Sequence, residues 1–267
     1  MPIDEAFVLA DQAIESALKA DPEYAMAYFV RGTSSIYNKY DFKSGVEDYR
    51  LALQLDPGNA FIMGANATGA RVLGRMDESI ELYDTVVELD PLLAEMRSWQ
   101  GLAYLYAGRL DEAEAAFRTT LVLSPEYSGG HYRLGRVLIG KGMPEEALAE
   151  IEQEMPGVYL ATGLAMVHHV LGNHEASQFA LEQLIENHAS SAAYQIAEVY
   201  AFRSENDQAF EWLNQSWINR DSGLASTLGN PAFNSLRADS RWPEFLEQIG
   251  LLEFWLNMPP EHGGSVQ

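Results

Sequence analysis

Small and bulky apolar residues follow one another along this chain on a long, regular period. From Ala94 to Pro125, Gly101 and Tyr104 lead to Gly108, and then Ala113 and Phe117 complete the unit. The same order precedes it at Ala67, Ala70, Gly74, Ser79, Tyr83 and Pro91, and follows it at Leu134, Gly135, Leu138, Gly142, Ala147 and Ile151. Units close on a shared phrase, Leu-Asp-Pro at Pro57 and Pro91 and Leu-Ser-Pro at Pro125, with these prolines 34 residues apart. Pro22, in Ala-Asp-Pro, stands 35 residues before Pro57. A period of this length marks a repeat array in place of a single globular core. Within each unit the small positions let two antiparallel helices approach closely and the large ones fill the holes beside them. Gly108 permits the sharp turn between the two helices. Runs of β-branched residues are few, so the pattern predicts an all-α fold.

The unit between Pro22 and Pro57 carries Tyr28, Gly32, Phe42, Tyr49 and Ala52, and its one additional residue is assigned to the Tyr40-Asp41 turn. Two degenerate units follow the regular ones. One runs through Leu164, Ala165, His168, Gly172 and Ala176, the other through Ala197, Tyr200, Ala209 and Leu213.

On these residues the chain resembles the tetratricopeptide repeat family. The resemblance implies a right-handed superhelix, an α-solenoid of antiparallel helix pairs with a C-terminal capping segment. Residues 1–24 are then an incomplete first repeat, its second helix only, because Ala10 and Ala17 fall on second-helix positions. The chain opens either on a capping helix or inside an array that begins upstream. Residues 25–221 form about six hairpins, the last two degenerate; 222–258 are capping helices and 259–267 a flexible tail. Phe233, Leu236, Trp242, Phe245, Leu246 and Ile249 are expected to cover the last hairpin, with Asp239 or Ser240 as a helix N-cap. A narrower resemblance rests on Ala197-Glu198-Val199-Tyr200, Gln208 to Leu213, Arg220-Asp221 and Leu236 to Trp242. These are similar to the ends of C-terminal arrays in bacterial class III adenylate cyclases and winged-helix transcription activators. That likeness implies a bacterial, cytoplasmic signalling setting. No catalytic or DNA-binding activity comes with it, because the domains that carry those activities have no counterpart here.

Charge narrows the partners. The 267 residues hold 17 Lys and Arg against 39 Asp and Glu, a net charge of −22, which argues against nucleic acid or an anionic membrane as a direct ligand. No segment approaches the 18 or more uninterrupted apolar residues of a membrane span. There is no cysteine, which excludes disulfides, thiol catalysis and Cys-ligated zinc.

In the solenoid that the resemblance implies, the first helix of each hairpin lines the concave face. The repeat frame places Phe29, Thr33, Ile36 and Tyr37 there, then Phe61, Thr68, Arg71 and Val72. Next come Glu95, Ser98, Leu102, Leu105 and Tyr106, and Tyr132, Arg136 and Ile139. The degenerate units add Tyr159, Thr162, Met166, His169, Tyr194 and Glu198. The peptide-binding set expected from this group is Phe29, Thr33, Tyr37, Phe61, Thr68, Arg71, Leu102, Tyr106, Tyr132, Arg136, Met166 and His169. Aromatic side chains offer large rigid contact area at low entropic cost, although aromatic residues at helical spacing serve equally as packing between hairpins. Arg71 and Arg136 are the candidates to grip a carboxylate, given the donor fork of arginine. The Lys and Asn set with which some members of the family clamp C-terminal carboxylates is incomplete here.

Catalytic and metal chemistry finds little footing. His168 and His169 point about 100° apart on a helix, and His174 lies beyond its end, so no metal site is expected. The acids Glu145, Glu146, Glu150, Glu152 and Glu154 read as a solvated exterior. Gly129-Gly130 and Gly140 to Gly142 lack the lysine of a phosphate-binding loop, and no Gly-x-Ser-x-Gly motif occurs. The expectation is a scaffold or regulatory module, neither an enzyme nor a cofactor protein, that binds a peptide or protein segment. The alternative is a ligand-sensing domain, or one that self-associates through the N-terminal half-repeat and its apolar Phe7, Leu9 and Ile14.

Overall fold

The computed structural model describes residues 3–260 and 264, so most of the expected tail lies outside the described residues. The chain opens with α1 (Ile3–Ala20), followed by hairpins α2 (Ala25–Ser34) with α3 (Phe42–Leu55), α4 (Ala60–Val72) with α5 (Met76–Leu89), and α6 (Ala94–Tyr106) with α7 (Leu110–Leu123). Then come α8 (Gly130–Gly140) with α9 (Pro144–Ile151), α10 (Val158–Val170) with α11 (His174–His188), and α12 (Ala193–Phe202) with α13 (Asn206–Ile218). Two 3-10 turns, Ser222–Ser226 and Pro231–Leu236, lead to α14 (Arg241–Gln248) and α15 (Leu252–Leu256). Among the described residues there is no strand, and the architecture is an all-α solenoid. No described helix is long and apolar enough to cross a membrane.

The periodic residues make the hairpins in identifiable ways. Asp56, Asp90 and Ser124 end the second helices with φ near −140° and ψ of 76° to 91°. Each precedes a proline, whose ring excludes the helical region for the residue before it. Inside the hairpins, Gly74, Gly108, Gly142 and Gly172 hold φ of 74° to 75°, the left-handed conformation that closes a helix at no steric cost. A Cβ on Gly101 of α6 would lie 2.8 Å from the ring of Phe117 in α7, so the two helices meet at van der Waals distance only because that position is bare.

The additional residue of the first hairpin is absorbed one turn earlier than the sequence suggests. Ser35–Lys39 continues α2 as a π-helical turn, and Asp41 N–H reaches back to the carbonyl of Ser35 at 2.9 Å. A π turn is the ordinary way for a helix to accommodate one inserted residue without losing its hydrogen bonds. Tyr40 then takes the left-handed position (φ 54°) that glycine occupies in the next hairpins.

The C-terminal segment does more than cover the last hairpin. Phe233 packs on Tyr194 and Trp242, at ring-centre distances of 5.4 and 5.9 Å. Asp239 supplies the cap, accepting from Arg241 N–H at 3.0 Å, while Ser240 makes no such bond. The same segment also returns to the start of the array. One apolar cluster joins Ile36, Phe42, Val46, Val72 and Leu73 of the first two hairpins to Phe210, Leu213, Leu228, Trp242, Leu251, Trp255 and Met258. Tyr40 stacks near Trp217 at 5.0 Å, and its hydroxyl donates to the carbonyl of Asp221. The first and last hairpins are thereby tied through the interior of the solenoid.

Candidate functional site

The first helices of all six hairpins converge on one cavity of about 350 Å³. Its wall takes Tyr37 from the π turn after α2, Arg71 from α4, and Trp99, Leu102 and Tyr106 from α6. Tyr132, Arg133 and Arg136 come from α8, Val158 and Tyr159 from α10, and Tyr194, Gln195 and Glu198 from α12. Asp221, Ser222, Gly223 and Ser226 of the returning segment close one side. The inner face is therefore a bounded pocket, because the chain after α13 crosses it.

Half of the expected peptide-binding set lines this pocket: Tyr37, Arg71, Leu102, Tyr106, Tyr132 and Arg136. Met166 instead lines a neighbouring apolar cavity of about 260 Å³, with Leu105, Ile139, Phe202 and Pro231; Arg136 forms part of both walls. The other five lie outside. Phe29 stacks on Tyr49 at 6.0 Å, Thr33 shares a hydrogen bond with the Tyr49 hydroxyl at 3.0 Å, and Thr68 does the same with Tyr83 at 2.7 Å. These three fill the space between helices, where a tyrosine of the second helix needs a polar partner. Phe61 stands 53% exposed at the start of α4, and His169 packs against Phe202 and His174. Burial, with Arg203 and His174 nearby, lowers the His169 pKa. On α1, Ile14 is buried while Leu9 is exposed.

Trp99 and Arg133 belong to the pocket but were not expected there. Trp99 sits one helical turn before Leu102, and Arg133 one turn before Arg136, so the i, i+3 rule offered a signal for both. Ser226 and Asn230 lie beyond the repeats and carry no periodic signal.

The charges of the pocket fall into two groups. Arg136 is fully engaged: it donates to Asn230 Oδ1 at 2.8 Å and lies 3.5 Å from Glu198 Oε1. Asn230 in turn donates to Glu198 and to the Tyr194 hydroxyl, at 2.8 and 2.9 Å. Burial pushes the Glu198 carboxyl up, and Arg136 and Asn230 pull it back only in part. Asp221 is likewise pushed up by burial, and the N–H groups of Gly223 and Tyr194 that it accepts work against this. Burial also raises Tyr132, Tyr194, Tyr106 and Tyr37, which leaves their hydroxyls neutral hydrogen-bonding groups.

Arg71 and Arg133 form the second group, and neither has a carboxylate partner among the described residues. Arg71 is 1% exposed. Its Nη1 donates to Ser226 Oγ at 3.2 Å, and its buried Nε has no partner. Arg133 donates to Ser98 Oγ. The two guanidinium carbons lie 5.4 and 5.1 Å from the Trp99 ring centre, which bounds their separation at 10.5 Å. At an effective dielectric of about 20, two positive charges that far apart repel by roughly 1.6 kcal/mol. Burying an unpaired guanidinium costs several kcal/mol more. Among the described residues no group of three His, Asp or Glu is arranged to hold a metal ion.

Residues 65–130 and 100–156 match the tetratricopeptide repeat family. No curated protein matches the chain. Among solved structures it is similar to PilW, a widely conserved type IV pilus biogenesis factor, with 23% identity, a TM-score of 0.63, and coverage of 73% of this chain and 91% of that one. It is similar to TTC0263, a thermophilic protein of this repeat type from Thermus thermophilus, at 17% identity and TM-score 0.59, over 70% of this chain and 99% of that one. The Cut9–Hcn1 hetero-tetramer of APC/C gives 17% identity and TM-score 0.61, over 87% of this chain and 46% of that one. At these identities the likeness speaks for the fold alone. The match makes residues 65–156 tetratricopeptide repeats, and the six hairpins give the chain the α-solenoid fold of such arrays.

Proposed function

We propose that this chain is a protein-interaction module whose inner face seats a segment of a partner polypeptide. One observation carries the reading: six first helices, spread over more than half the sequence, direct three arginines, five tyrosines and a tryptophan into a single pocket. Tryptophan, tyrosine and arginine are the residues that dominate binding energy at protein interfaces. The Cut9–Hcn1 complex, a similar fold engaged with a partner, supports the reading by analogy. A regulatory role within a bacterial signalling protein rests on the likeness of residues 197–242 to such arrays. The module acts by recognition and positioning, with no covalent step.

Selection of a displayed random peptide library on the full chain tests this. Peptides are expected to be retained, and Trp99→Ala with Tyr159→Ala is expected to weaken capture by about tenfold or more, as loss of an aromatic anchor does. Capture unaffected by both substitutions would refute the proposed face.

A further inference from the structure

An acidic protein has built a buried positive site on its inner face. The chain carries a net charge of −22, yet Arg71 and Arg133 enter the pocket unpaired, because its two carboxylates are engaged elsewhere: Glu198 with Arg136 and Asn230, and Asp221 with the N–H groups of Tyr194 and Gly223. Arg71 is 1% exposed, keeps an unpartnered Nε, and is held by Ser226 of the returning segment. Both guanidinium groups lie over the ring of Trp99, within 5.4 Å of its centre, and Tyr106 lies 5.7 Å from Arg71. Charge and flat apolar surface are thus presented together, in a cavity of about 350 Å³ that residues 221–226 bound on one side. That volume suits a compact group, at the lower end of the range for small-molecule sites.

We infer that this pocket binds a compact organic anion, a carboxylate or phosphate borne on a planar body, with Arg71 and Arg133 meeting the anion and Trp99 and Tyr106 the planar part. The inference rests on the inner face being the binding face, as proposed above, and adds the chemistry of what enters it. An arriving anion supplies the charge that the two arginines lack, and guanidinium–oxyanion hydrogen bonds are among the stronger ones. Arg136 is excluded from this role because its charge is already paired with Glu198 and its Nη2 donates to Asn230. The bounded pocket of about 350 Å³ fits a free small molecule, and the acidic terminus of a peptide, which some members of the repeat family clamp, is the alternative that the test separates.

Calorimetric titration of the full chain, with tryptophan fluorescence in parallel, tests the inference. The probes are phenyl phosphate and benzoate against the neutral benzyl alcohol, and a pentapeptide ending in phenylalanine against its C-terminal amide. At least one aromatic anion is expected to bind with a dissociation constant below about 1 mM, and its neutral counterpart at least about tenfold more weakly. Arg71→Met and Arg133→Met, each checked for folding by circular dichroism, are expected to lose that preference. Trp99→Phe, which keeps both arginines, is expected to keep binding and lose the fluorescence response. Binding of the aromatic anions supports the inference, and binding of the peptide acid alone overturns it in favour of a peptide terminus. Equal affinity for acid and neutral probe, or no binding of any anion at about 10 mM, overturns the inference whatever the arginine variants do. Retention of neutral library peptides without anion preference would leave the interaction module standing and remove the anion site. Anion binding without any retained peptide would do the reverse.

Discussion

Arg71→Met and Arg136→Met are expected to differ widely in their effect on stability, although both remove an arginine from the same pocket. In Arg71→Met the protein loses one hydrogen bond to Ser226 at 3.2 Å and two ring contacts at 5.4 and 5.7 Å. A charge-assisted hydrogen bond contributes about 1.5–3 kcal/mol and each desolvated cation–π contact about 2 kcal/mol. Against that stand the several kcal/mol of an unpaired buried guanidinium and its repulsion from Arg133. Methionine follows a similar path through the core without a charge. The two sides nearly cancel, so the variant is expected within about 1 kcal/mol of the parent, a change in melting temperature under about 4 °C in a domain of this size. Arg136→Met instead strands Glu198, 3% exposed, without its countercharge, and is expected to cost about 3–5 kcal/mol. Guanidinium chloride unfolding and thermal melting of both variants, without added anions, decide the matter. If Arg71→Met proves as damaging as Arg136→Met, Arg71 is a satisfied structural group and the charge argument for the pocket is wrong.

Trp242→Ala empties a site only 1% exposed between Phe233 and Phe245, and is expected to cost about 3–5 kcal/mol in urea unfolding. A loss under about 1 kcal/mol would mean the C-terminal segment is not integral to the core. Ser204 holds φ of 61° in the turn of the last hairpin, where four other hairpins use glycine. Ser204→Gly is expected to raise stability by about 0.5–1 kcal/mol, and a fall in melting temperature would contradict it. The Arg241 guanidinium holds the Asp239 carboxyl down at about 2 from an ordinary 3.8. A depressed carboxyl stabilises above its unfolded pKa, and the contribution is lost as pH falls through the folded one. Asp239→Asn is therefore expected to lower stability at pH 6 slightly and to narrow its gap from the parent chain between pH 4 and 2, as followed by acid titration of tryptophan fluorescence.

The repeat frame read from sequence carried Tyr37, Arg71, Leu102, Tyr106, Tyr132 and Arg136 to the face where they meet. It did so because facing follows from position within a helix of known hand and pitch. The same frame misplaced the roles of Thr33 and Thr68, since it contains no account of how Tyr49 and Tyr83 extend from the neighbouring helix. It passed over Trp99 and Arg133, which share the inward stripe one turn from residues that it did select. Ser226 and Asn230 were beyond its reach, because nothing outside the repeats is periodic.

By itself the amino-acid order determined the helices, their turns and the stacking of one hairpin on the next. Those depend on contacts within about one period, where glycine, proline and the small-to-large pairing act locally. Closure of the solenoid was decided only in three dimensions. It needs Ser226 to reach Arg71, 155 positions away in the chain, and Asn230 to reach Arg136 across 94. Such meetings depend on the sum of small rotations over six hairpins, and no local pattern records that sum. The pocket, with its unmatched positive charge, exists only because the curve closes.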